Sequence, residues 1–143
     1  VLEEQKEVDR ILGCSSKDWE GFVFDPEIDP SGLYEKIRQV RSKKHDFSID
    51  FCPNFSQDEI QQYYAGSDYR PKASRCQSPW VAAYVFPDGE VRPCLNSSYS
   101  FGNVREEGLG SIWNSSKAVS FRKELKKRRI FPICCRCTEL YRY

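Results

Sequence analysis

Seven of the 143 residues are cysteines: Cys14, Cys52, Cys76, Cys94, Cys134, Cys135 and Cys137. An odd number cannot all pair within one chain, and clustered cysteines in a reducing compartment bind metal more often than they form disulfides. Cys134 and Cys137 make a Cys-x-x-Cys pair, a tight loop that can aim two sulfurs at one centre. Cys76 and Cys94 flank a segment that reads as a hairpin. An antiparallel hairpin returns the chain to its starting edge, so its two ends can offer two further thiolates to the same site. Four soft thiolates suit Zn²⁺ or an iron–sulfur cluster and not a hard cation such as Mg²⁺. Spacing alone leaves zinc and iron–sulfur open. Cys135 competes with Cys134 as the fourth ligand, and spacing favours Cys134, because Cys135 is separated from Cys137 by Arg136 alone. Cys14 and Cys52 stand apart and read as ordinary thiols, which pack as small apolar groups. The single histidine, His45, lies in a charged run at a helix end and reads as a surface residue. That lowers the case for Ser-His-Asp or Cys-His hydrolysis.

The elements that would position these thiols follow from periodicity. Residues 1–12 read as a helix through Val1, Val8 and Leu12, with Gly13 as its stop. Phe22–Phe24 is a strand candidate. Asp29 or Ser31 caps a helix running to about Lys44, with an apolar stripe of Leu33, Ile37 and Val40. Phe47–Phe51 alternates strictly and predicts a half-buried strand. Ser56 and Glu59 are spaced as a capping box ahead of a short helix with Ile60, Tyr63 and Tyr64. Alternating helices and strands imply βα units and a parallel sheet, and two strands make a poor sheet alone. After Gly66 the chain turns polar and irregular as far as Ser78. Val81–Phe86 and Glu90–Cys94 then flank Pro87-Asp88-Gly89, a hairpin signal. Gly102-Asn103 marks another turn. Short and longer helices are expected over Leu109–Trp113 and about Ser116–Lys127, the latter with Ala118, Phe121 and Leu125 on one side.

Charge is nearly balanced, with 22 basic and 21 acidic residues, so overall electrostatics give no case for nucleic acid. The local run Arg122, Lys123, Lys126, Lys127, Arg128 and Arg129 reads as a solvated helix face. No apolar run reaches the roughly 18–20 residues that span a bilayer, and no secretory signal opens the chain. A soluble, cytoplasmic protein without a membrane partner is the expectation. The first residue is Val1 and not Met, which suggests an excised or processed chain.

From Cys76 onward the chain resembles the SPASM/twitch extension of radical SAM enzymes. The pieces that carry the resemblance run in the family's order. Cys76-Gln77-Ser78-Pro79-Trp80 comes first, followed by Phe86-Pro87-Asp88-Gly89-Glu90-Val91-Arg92-Pro93-Cys94. Gly102-Asn103-Val104, Ser111-Ile112-Trp113-Asn114-Ser115, Phe121-Arg122 and Cys134-Cys135-Arg136-Cys137 complete the set. Phe51-Cys52-Pro53-Asn54 and the Tyr63-Tyr64 helix are similar to the last barrel strand and the lead-in to that extension. Two features depart from the full pattern. The Cys-x-x-x-Cys-x-x-Cys loop that holds the family's catalytic cluster is absent, and nothing follows Cys137 but Thr138 to Tyr143. The resemblance is therefore to the shorter, one-cluster twitch type, unless the C-terminus has also been cut.

The resemblance implies an α+β chain. Residues 1–65 would be the closing βα units of a partial TIM-type barrel, and residues 66–143 a β-hairpin and helix module. That module would hold one auxiliary [4Fe–4S] cluster through Cys76, Cys94, Cys134 and Cys137, for substrate binding or electron relay. Air-exposed preparations would carry zinc or no metal. Trp80 and Trp113 would pack the module's core. S-adenosylmethionine would belong to a full-length oxidoreductase or maturase with the rest of its barrel and a peptide or small-molecule substrate. The chain alone is expected to be inactive. A different class of function, a zinc-stapled interaction module without catalysis, remains the alternative.

Overall fold

A computed structural model describes residues 2–14, 27–65, 69–72 and 75–142. Helix α1 spans Leu2–Leu12 and ends at Gly13, whose φ of +64° only glycine adopts without strain. Helix α2 spans Pro30–Ser42. Asp29, and not Ser31, caps it by accepting hydrogen bonds from the backbone amides of Ser31 and Gly32 at 3.0 and 2.9 Å. At its other end His45 Nε2 lies 2.8 Å from the Val40 carbonyl, so this ring closes a helix end. Helix α3, Gln57–Ala65, carries the expected capping box. The Ser56 amide donates to Glu59 Oε2 at 2.8 Å, and the Glu59 amide donates to Ser56 Oγ at 3.3 Å.

The strand expected at Phe47–Phe51 is not one. The segment forms no ladder, and Phe47 is 70% exposed. A strand is stable only when a neighbour takes its backbone hydrogen bonds, and among the described residues nothing pairs with it. The companion candidate, Phe22–Phe24, lies outside the described residues. No parallel sheet occurs among the described residues.

The sheet lies in the second half. Strands β1 (Tyr84–Val85), β2 (Glu90–Arg92) and β3 (Gly102–Asn103) run antiparallel in the order β1-β2-β3. Tyr84 faces Arg92, and Val91 faces both Val85 and Gly102. The Asp88-Gly89 turn joins β1 and β2 as expected, and Gly89 adopts φ +89°. A Cβ there would collide with the Asn103 side chain. The expected strands are longer than those observed, because Val81 belongs to a short helix, α4 (Ser78–Val81), which the sequence did not announce. Gly102-Asn103 is a strand rather than a free turn, because β2 offers it an edge.

Helices α5 (Leu109–Trp113) and α6 (Ser116–Arg128) lie where expected. Ala118, Phe121 and Leu125 of α6 are buried, and Ser115 caps the helix through its hydroxyl. They join Val8, Val91, Phe101, Ile112, Phe131, Ile133 and Leu140 in one core. Phe121 packs its ring between Phe101 (5.7 Å) and Phe131 (5.4 Å). Trp80 packs against this core, whereas the half-buried Trp113 lies under the Arg122 guanidinium, 4.1 Å from its ring. Two short 3₁₀ turns, Pro132–Cys134 and Thr138–Tyr141, close the described chain.

Candidate metal centre

Each of the four cysteines sits on a turn next to the core. Cys76 is buried and lies two residues before α4 begins. Cys94 follows β2, and the sheet holds its strand through Val91. Cys134 ends the first 3₁₀ turn and Cys137 caps the second. The Cys137 amide donates to the Cys134 carbonyl at 3.1 Å, which closes the Cys-x-x-Cys turn.

The structure brings these four into mutual electrostatic contact. The Cys94 thiol feels Cys137 and Cys76, and the Cys134 thiol feels Cys94, Cys76 and Cys137. Burial is the largest cause raising all four, with Cys94 pushed up to about 12 and Cys134 well above the ordinary thiol value. Cys94 keeps some exposed surface, but its thiol is desolvated. Backbone amides oppose the rise. Ser78 supplies one to Cys76, Asn96 and Ser97 supply theirs to Cys94, Phe131 supplies one to Cys134, and Glu139 and Leu140 supply theirs to Cys137. Amides aimed at sulfur stabilise a thiolate. The four are neighbours and not a closed coordination sphere. Among the described residues, no group of three or more His, Cys, Asp or Glu side chains is gathered tightly enough to hold a metal ion as it stands.

Cys135 faces elsewhere. After burial, its thiol feels Glu4, Arg70 and Arg136, and it lines a cleft of about 680 Å³ with them. The turn is held so by Tyr63, whose hydroxyl donates to the Arg136 carbonyl at 2.9 Å, while the Arg136 guanidinium lies over the Tyr63 and Tyr69 rings at 5.3 and 5.9 Å. Cys14 accompanies Asp9, 3.6 Å from its carboxylate, and Cys52 is exposed. Neither joins the four.

Arg122 departs from its expected solvated face. Its side chain donates to the Pro79 and Trp113 carbonyls, both at 2.7 Å, and so ties α4 to α5 and α6. The other five basic residues of that run are exposed, as expected. Sequence reasoning missed Tyr63, Arg122 and Ser78 as supports of the site. Only the proximity of Ser78 and Arg122 to Cys76 and Phe121 in the resembling segments hinted at two of them.

A small α+β domain built around a group of desolvated, amide-supported thiols is the class of protein that this fold defines. Thiols of this kind suit ligation of a soft metal or a cluster. Residues 76–138 match the SPASM family, described as an iron–sulfur cluster-binding domain. It is similar to the tungsten-containing aldehyde ferredoxin oxidoreductase cofactor-modifying protein of Pyrococcus furiosus, with 36% identity over 67 residues, 36% of this chain and 18% of that one. It resembles the S-adenosyl-L-methionine-dependent 2-deoxy-scyllo-inosamine dehydrogenase of Niallia circulans at 34% identity over 82 residues, 51% of this chain and 33% of the relative. The PqqA peptide cyclase of Rhizobium meliloti is 41% identical over 64 residues, 40% of this chain and 17% of the relative. The matches thus cover a third or less of each relative's length. No solved structure gives a significant match. Among the described residues, no helix is long and apolar enough to cross a membrane.

Proposed function

We propose that Cys76, Cys94, Cys134 and Cys137 hold one auxiliary [4Fe–4S] cluster, which serves substrate binding or electron relay in a radical SAM enzyme. The observation that carries this reading is the shared environment of the four thiols: they feel one another, and each takes at least one backbone amide, while Cys135 meets arginines and a glutamate. The donor set fits the group. A four-iron cluster takes one thiolate per iron, so the four thiols match its donor count, and mononuclear zinc would take the same four at about 2.3 Å. When bound, such a cluster supplies a one-electron couple. The protein's part is to exclude water through Val91, Ile133 and Leu140, to aim its amides at the sulfurs, to fix the Cys-x-x-Cys turn through Tyr63, and to hold α4 in place through Arg122.

In this reading residues 1–65 would belong to the end of the family's barrel, although their described part forms three helices and no strand, and the remainder of that barrel would be the module's partner. A peptide substrate accords with the relative named a peptide cyclase, and a small molecule with the relative named a dehydrogenase. With all four ligands being protein thiolates, the cluster leaves no open iron for S-adenosylmethionine, so the chain alone should not cleave it.

Anaerobic reconstitution tests the reading. The chain should load about four irons. Cys76→Ser, Cys94→Ser, Cys134→Ala and Cys137→Ser should each lose most of that iron, while Cys14→Ser, Cys52→Ser and Cys135→Ala should retain it. Equal loading across all seven variants, or one tightly held zinc and no iron in the anaerobic protein, would overturn it.

A further inference from the structure

Ser78 has no exposed surface, and its hydroxyl has no hydrogen-bond partner. A buried hydroxyl left unpaired is costly, and native structures rarely keep one without a reason such as an ion or group that completes it. The obvious ways to satisfy this one are taken or absent. The Ser78 carbonyl accepts from the Ala82 amide at 2.8 Å, and Gln77, the residue before α4, makes no side-chain cap. The Ser78 hydroxyl caps nothing itself.

Its place in the chain says what would complete it. Ser78 stands two residues after buried Cys76 and opens α4. Two residues of chain span at most about 7 Å, so this hydroxyl is confined to the neighbourhood of Cys76. The residue is also held firmly. Pro79 follows it, and the Pro79 carbonyl accepts from Arg122 Nε at 2.7 Å. Arg122 in turn donates to Trp113 and stacks on its ring. Ser78 is thus a rigid, dry, unsatisfied donor at the edge of the four-thiol site.

We propose that the Ser78 hydroxyl donates a hydrogen bond to a sulfur of the bound cluster, either the Cys76 thiolate or a bridging sulfide, and so sets the cluster's reduction potential. This rests on the cluster reading above. Reduction adds one electron, and with it negative charge on the sulfurs. A fixed donor favours the reduced state more than the oxidised one, and the potential rises. Ser78 is a positioning and tuning residue and not a ligand, so iron content and potential should respond differently to its loss.

The experiment compares the full chain with its Ser78→Ala and Ser78→Thr variants, all reconstituted anaerobically with iron and sulfide. Iron per chain is measured first, then the midpoint potential by redox titration. The reduced protein is then examined in H₂O and D₂O for exchangeable protons coupled to the cluster. Ser78→Ala should load as much iron as the parent. It should favour the reduced state about tenfold less, a potential lower by about 59 mV for a one-electron couple. It should also lack one exchangeable proton coupling, and Ser78→Thr, which keeps the hydroxyl, should restore both. Ser78→Gly provides a second hydroxyl-free form should the alanine variant fold poorly. Full loading with an unchanged potential and unchanged proton couplings would overturn the role of Ser78 and leave the cluster reading standing. Failure of the parent chain itself to bind iron would overturn both.

Discussion

The Cys94 thiol shows what the site demands of single residues. Burial pushes it up to about 12, although the Asn96 and Ser97 amides pull against that rise. In the metal-free chain such a group is neutral at pH 7. Its proton is held more tightly folded than unfolded, where a thiol titrates near about 8.5. The stability that it contributes is therefore fully present below about pH 8.5 and is lost as pH rises toward 12. The metal-free chain should lose thermal stability across that window. A Cys94→Ala variant should lose less, because it has no proton to surrender. A cluster-loaded sample, whose thiolates are already deprotonated, should also lose less. Melting temperature against pH for the three samples decides the matter, and parallel curves would refute the assignment of the loss to this thiol. Cys135, the immediate chain neighbour of its rival Cys134, shows the opposite lesson. A turn pinned by Tyr63 and Arg136 sends adjacent thiols into different surroundings.

At the scale of the elements, capping and packing carry the argument. The Ser56–Glu59 box holds the start of α3, and the Ser56 amide, Lys72 and the Ser56 hydroxyl lower the Glu59 carboxyl to about 2. A lowered acid contributes stability above its unfolded value of about 4.3, and that stability is lost as pH falls toward 2. Ser56→Ala should cost about 1 kcal/mol in denaturant unfolding at pH 7. Because it also removes one of the partners that hold Glu59 ionised, the variant should flatten the acid limb. No change at either pH would show that the box is ornamental to α3. The core behind the site is less forgiving. Phe101 is 1% exposed and touches the Tyr99 and Phe121 rings. Phe101→Ala should cost about 3–5 kcal/mol and, because its strand neighbour Val91 leads directly to Cys94, should also weaken iron retention. A loss below 1 kcal/mol would show that the aromatic stack does not organise this module.

Across the whole molecule, cohesion is uneven. Helix α1 reaches the main core through Val8, and buried Gln5 donates to Ser98 at 3.1 Å, so the first element is bound into the second half. Helix α2 buries no residue fully and packs chiefly on α3, beside a cavity of about 240 Å³ that includes Leu33, Ile37, Phe55 and Tyr64. Local opening is easiest where few apolar contacts hold an element. Hydrogen exchange should therefore be fastest along Pro30–Ser42 and slowest along Val91 and Ala118–Leu125, with metal loading slowing Cys134–Leu140 further. Slow exchange throughout α2, equal to that of α6, would contradict this ranking.

Local chemistry alone determined much of this. The Asp88-Gly89 hairpin, the α5 and α6 helices with their buried face, the capping box and the four candidate cysteines rest on spacing and turn preference, which act between residues near in sequence. Other features belong to the tertiary structure because they depend on partners distant in the chain. Phe47–Phe51 alternates like a strand, yet a strand exists only where another segment accepts its hydrogen bonds. Gly102-Asn103 reads as a turn until β2 offers it an edge. Arg122 reads as one charge of a solvated run until the Pro79 and Trp113 carbonyls, 43 and 9 residues away, turn it inward. Spacing favours Cys134 over Cys135, but it cannot say where either thiol points. Their surroundings differ because Tyr63, 73 residues upstream of Arg136, holds the turn between them and Cys137.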